Sequence, residues 1–71
     1  MSFQMVARLH NTGHVHVTGS AVSIDMLREL LIPNRLVQSL SIYEGEGHGP
    51  HVKVVEHINY TRLKEMREEL L

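Results

Sequence analysis

Imidazoles give this chain its most concentrated chemistry. His14-Val15-His16-Val17 alternates histidine with valine, and His51-Val52-Lys53-Val54 repeats the alternation 37 positions later. Alternate residues of a strand share a face, so His14 and His16 point the same way with Cβ atoms roughly 7 Å apart. Neutral imidazoles so placed suit metal ligation, and His51 or His57 from an adjacent strand would complete a three-imidazole zinc set. Protonated, the same rings suit phosphate contact together with Arg8 and Lys53, and Tyr43 offers a face on which a base stacks. A third use is contact with another protein through that face, an exposed strand edge, or the apolar residues Val6 and Val55. The plainest use is none, because a solvated sheet face has to be polar and histidine is tolerated there.

The repeated His-Val-(His/Lys)-Val faintly resembles the paired His-φ-(Ser/Thr)-φ strands of the 2H phosphoesterases. Here the third position holds His16 and Lys53, neither a hydroxyl, and the chain is much shorter than those enzymes, so no catalytic role carries over. Nor is there a Ser/His/Asp set, a paired-carboxylate spacing or a phosphate-cradling glycine motif. Gly45-Glu46-Gly47-His48-Gly49 does not lead directly into a helix and reads as a hairpin connection.

Charge and size narrow the choices. The formal charge is −1 with histidines neutral, which argues against a strongly basic nucleic-acid binder. Protonating all six histidines would take it to +5, so the surface changes character near pH 6.5, about the ordinary imidazole pKa. Seventy-one residues make one small domain, in which ordering costs of about 1.5 kcal/mol per residue roughly cancel apolar burial. There are no cysteines, hence no disulfide framework and no cysteine-based zinc site. Self-association is the remaining common aid, so a homo-oligomer is expected. No stretch reads as a signal peptide and none is long and apolar enough to cross a bilayer, so a cytoplasmic protein without membrane contact is expected.

The elements that must position these side chains follow from periodicity. Phe3, Met5, Ala7 and Leu9 alternate with Gln4, Val6, Arg8 and His10 as a first strand, and Asn11-Thr12-Gly13 links it to a second over His14–Thr18, making a hairpin. Ser23 is the N-cap expected for a helix with Met26, Leu27, Leu30 and Leu31 on one stripe, which Pro33 ends. Leu36–Tyr43 is a third strand with Leu40 and Ile42 inward, and a glycine-rich loop precedes a fourth strand over His51–Ile58 that buries Val52, Val54 and Ile58. Asn59 or Thr61 caps a last helix carrying Leu63, Met66 and Leu70. The class is α+β: duplicated ββα units, pseudo-repeats over 2–33 and 36–71 of one domain, forming a four-stranded, mainly antiparallel sheet with two helices on one face.

On that arrangement the opposite face gathers Arg8, His14, His16, Tyr43, His51 and Lys53, with no carboxylate of these strands beside them. Glu56 falls on the inward phase, a conflict that a bulge or strand end nearby would remove. The expected function is a small non-enzymatic binding or regulatory protein, a homo-oligomer without cofactor, that recognises another macromolecule, in the first place a protein. The alternatives are a nucleic-acid or nucleotide-phosphate binder using the same face, and a metal-binding protein ligating through His14, His16 and His51.

Overall fold

A computed structural model describes residues 2–11 and 13–70. Thr12, in the link expected between the first two strands, lies outside them. The elements run β1 (Phe3–Leu9), β2 (His14–Gly19), α1 (Ala21–Leu31), β3 (Val37–Glu44), β4 (Lys53–Ile58) and α2 (Tyr60–Glu69). The sheet is antiparallel throughout, in the order β2-β1-β3-β4. The class is therefore α+β.

Alternation in β1 sends Met5 and Ala7 into the core, where they meet Ile42 and Leu40 across the β1/β3 ladder. Ile24 from α1, Leu63 from α2, and Ile32, Val37 and Ile58 complete a buried cluster, against which Phe3, Leu9, Val17, Leu27, Leu31 and Met66 pack. β3 holds its phase only by a bulge. Arg8 pairs with Ser39 but Leu9 pairs with Val37, so Gln38 is the extra residue. Strict alternation would turn Gln38 inward; the bulge keeps it exposed and buries Val37 instead.

Both helices begin at a polar cap. Ser20, not Ser23, caps α1: its backbone is extended and its Oγ accepts from the Ser23 N–H. The chain leaves β2 at Gly19, so Ser20 is the first side chain placed to reach the free N–H groups, and Ser23 falls inside the helix. The earlier start also fixes the inner stripe. Ile24, Leu27 and Leu31 face the core, spaced i, i+3, i+7, while Met26 and Leu30 of the expected stripe lie exposed. Asn59 caps α2, its Oδ1 accepting from the Arg62 N–H at 2.8 Å. Leu63 and Met66 pack inward as expected, but Leu70, at the fraying C-cap, is exposed.

β4 departs most from simple alternation. It starts at Lys53, two residues later than expected, so His51 and Val52 belong to the preceding loop. Ile42 pairs with Glu56 but Tyr43 pairs with Val54, leaving Val55 as an extra residue. This bulge reverses the phase of everything before it. Val54 joins Tyr43 on the outer face, whereas Lys53 pairs with Glu44 and leaves it. Val55 turns to the helix side, beside Val22 and Ile42. Val52 and Val54 are thus not core residues, and the two His-Val stretches do not occupy equivalent positions.

Glu56 itself stays in the inward phase, opposite Ile42. An ion pair resolves the conflict. Arg28 of α1 donates from Nε to Oε1 at 2.6 Å and from Nη2 to Oε2 at 3.0 Å. Those donated bonds hold the Glu56 carboxyl below its ordinary pKa of 4.5, with burial opposing and the Arg28 charge assisting. They also raise the pKa of Arg28. A carboxylate whose folded pKa is depressed stabilises the fold above its unfolded pKa and loses that contribution as pH falls through the folded value. Urea unfolding below pH 4.5 is therefore expected to weaken more steeply in the native chain than in Glu56→Gln. Identical pH profiles for the two would remove the ion pair from the account.

Candidate functional site

The outer phase of the sheet carries a groove of about 470 Å³ whose lining includes His14, His16, Tyr43, Val6, Val52 and Val54, with His48 and the glycines beside it forming one wall. A buried polar side chain builds it. Gln4, only 5% exposed, lies in the outer phase of β1, where a glutamine ought to be solvated. The loop between β3 and β4 folds back over it. Gln4 Nε2 donates to the Gly45 carbonyl at 2.9 Å and to the Gly47 carbonyl at 3.0 Å. Two carbonyl acceptors fix the amide orientation, so Oε1 faces His16 and accepts from its Nε2 at 2.8 Å. That assigns the His16 proton to Nε2 and leaves Nδ1 to accept a bond or a second proton. Since Nε2 carries a proton in both charge states, the link from His16 through Gln4 to the loop survives protonation.

Backbone freedom makes this fold-back achievable. Gly45 and Gly47 have φ of 121° and 68°, in the region that L side chains avoid. At Gly45 a Cβ would also press to 3.4 Å from the His51 carbonyl. Three further bonds hold the loop: Gly45 N–H to the Ser2 carbonyl, Ser2 Oγ to the Glu46 carboxylate, and His51 Nε2 to the Glu46 carbonyl at 2.8 Å.

Beyond Val6 and Tyr43 the groove continues into a second cleft lined by Arg8, Ser39, Ser41 and His57. Ser41 Oγ and His57 Nδ1 lie 2.8 Å apart across the β3/β4 ladder. A hydroxyl beside an imidazole is the start of an acyl-transfer site. Here no carboxylate orients the ring among the described residues. Ser41 sits within the central strand β3, paired with Val6 of β1 on one side and His57 of β4 on the other, so its own backbone belongs to the ladder rather than to an oxyanion cradle.

Of the six side chains picked out by the sequence, the groove brings together His14, His16 and Tyr43. Arg8 lines the adjoining cleft. His51 serves the loop and Lys53 lies in the opposite phase. Among the described residues no three His, Cys, Asp or Glu side chains gather closely enough to hold a metal ion, so His14, His16 and His51 do not form the zinc set considered. Val6 is legible in the sequence as an apolar residue of this face, whereas the parts played by Gln4, His48, Val52 and Val54 are not. The one available signal was the density of glycines in residues 45–49, marking a loop able to fold over its own sheet.

No helix is long and apolar enough to cross a membrane among the described residues. No family model, curated protein or solved structure matches the chain.

Proposed function

We propose that this chain is a small non-enzymatic binding or regulatory protein that works as a homo-oligomer and takes an extended segment of a partner protein in the outer-face groove. One observation carries the reading: among the described residues no carboxylate lines the groove, and its walls combine histidines with Val6, Val52 and Val54. The fitting occupant alternates acidic with apolar side chains, the former toward the imidazoles and the latter toward the valines.

The sheet order supports descent from duplicated ββα units with both helices on one face. β1 and β3, the first strands of the two halves, sit at the centre, and β2 and β4 flank them. Self-association is supported by α1. Ile24, Leu27 and Leu31 line its inner face, while Val22, Met26 and Leu30 stand 70%, 63% and 68% exposed on its outer one. A helix apolar on both sides is ordinarily buried on both sides.

Selection from a randomised peptide library tests the groove. Acidic-apolar peptides are expected to be enriched, and Val54→Asp, at an exposed position, is expected to weaken them by on the order of tenfold. Affinity should fall only modestly with salt, because the valine contacts are not screened and the charged ones are few. Single-stranded oligonucleotides held with a steep salt slope, and lost in the same variant, would replace this reading with the nucleic-acid one.

A further inference from the structure

At the end of the sheet away from the groove's glycine loop, a second cleft of about 360 Å³ lies among His10, Arg35, Tyr60, Lys64, Arg67 and Glu68. Its charge is unusual for a chain of net −1: three permanent cations face one carboxylate. One of those cations is locked in place. Arg67 donates from Nε to the Ile32 carbonyl at 2.6 Å, and from Nη2 to the carbonyls of Asn34 and Val37, both at 2.7 Å. A guanidinium has five N–H donors. These three bonds use three of them and leave the two on Nη1 without a partner among the described residues. Arg67 thus ties the end of α1 to the turn before β3, and its spare donors belong to a side chain lining the cleft. Arg35 and Lys64 have no carboxylate within ion-pair distance among the described residues, unlike Arg28 and Arg62. Tyr60 forms a planar wall, with His10 edge-on at 5.7 Å between centroids and Lys64 Nζ 5.4 Å from the ring centre.

We propose that this cleft binds a phosphate group. A guanidinium held in place with its Nη1 hydrogens unspent and a point-charged ammonium are both donors to phosphoryl oxygens. Their surplus over Glu68 matches the charge of a dianion. Arg67 supplies a preset position, so less ordering is lost on binding than at three mobile surface cations. A planar ring carrying that phosphate would meet the Tyr60 face once Lys64 Nζ, 5.4 Å from the ring centre, moves off it to the phosphate. The site shares Tyr60 with the cleft that continues the outer-face groove, but none of the residues that line the groove itself.

The test is an NMR titration of the full chain with inorganic phosphate at constant ionic strength, and in parallel with a nucleoside monophosphate and the bare nucleoside. Saturable shifts confined to residues 10, 35, 60, 64 and 67 are expected. Arg67 also holds the fold together, so the variants are Arg35→Glu and Lys64→Glu, both at exposed positions; each is expected to weaken phosphate by on the order of tenfold. Tighter binding of the monophosphate, with the gain lost in Tyr60→Leu, supports the site with a ring-borne phosphate as ligand. Equal affinities support it with the phosphoryl group alone. Shifts spread evenly over Arg8, Lys53 and Arg62, affinity unchanged in both charge-reversal variants, or a nucleoside that binds as well as its phosphate would each overturn the proposal.

Discussion

Replacing Gln4 with leucine is expected to cost about 3 kcal/mol of stability, because three hydrogen bonds contribute net about 1 kcal/mol each. The leucine fills the same space but strands the Gly45 and Gly47 carbonyls and the His16 Nε2–H. A domain of this size holds only about 4–10 kcal/mol in all, so the midpoint of thermal unfolding should fall by on the order of 15 °C. The damage is local in origin. Amides of residues 45–52 should exchange with solvent far faster, and the groove wall should loosen before the β1/β3 ladder does. Peptide binding in the groove would weaken even at temperatures where the variant is folded. A midpoint within a few degrees of the native chain would show that water replaces the glutamine without loss, and the groove would then need another account of its shape.

The second large effect is expected at Met26. Val22, Met26 and Leu30 stand at i, i+4 and i+8 on α1, an apolar line about 12 Å long at 1.5 Å per residue. Asp25 and Glu29 border it, and Arg28 bonds Glu29 as well as Glu56. Across the adjoining groove Val55 extends the apolar surface from Val22. The molecule measures 36 × 26 × 15 Å. A stable interface buries roughly 800 Å² per partner, against the 5079 Å² that the described chain exposes. A second copy is the partner always present, and a two-fold pair brings the same line against itself. Met26→Glu would place a carboxylate at the centre of that line and raise the dimer dissociation constant by on the order of 100-fold. Circular dichroism should be unchanged, because the residue points to solvent in the single chain. Sedimentation velocity of the two proteins decides the matter. A native dimer that survives the substitution keeps the homo-oligomer but moves its interface, whereas a native chain that stays monomeric leaves the stripe to a different protein.

Much of this fold is legible in particular residues. Phe3, Met5, Ala7 and Leu9 announce β1, and Pro33 and Asn59 bound the helices where the structure has them. What escaped was phase. Met26, Leu27, Leu30 and Leu31 are all apolar, so composition alone allows α1 several rotations, and the cap at Ser20 together with Ile24 chooses among them. In β4, Lys53-Val54-Val55-Glu56 reads as uninterrupted alternation with one extra valine, and nothing local says which valine stands outside the ladder. The bulge at Val55 answers that through long-range pairing with β3, and it removes Lys53 from the face on which simple alternation would put it. Gln4 was illegible for a related reason. A polar residue on the outer phase reads as solvated until a loop more than forty positions away covers it.

That bulge also bears on how strands could add to this sheet. β2 and β4 are the two edges of the sheet, and each presents unpaired backbone groups to any strand that drifts by. At β4 the extra residue interrupts the ladder and bends the strand, so an incoming chain cannot match it over its length. β2 carries no such interruption in its pairing with β1. Strand addition is consequently open on one side only. Two molecules that joined through β2 would form a sheet of eight strands whose outermost members are both bulged copies of β4. Growth by that route is self-limiting: it ends at a pair and does not lead to a fibril.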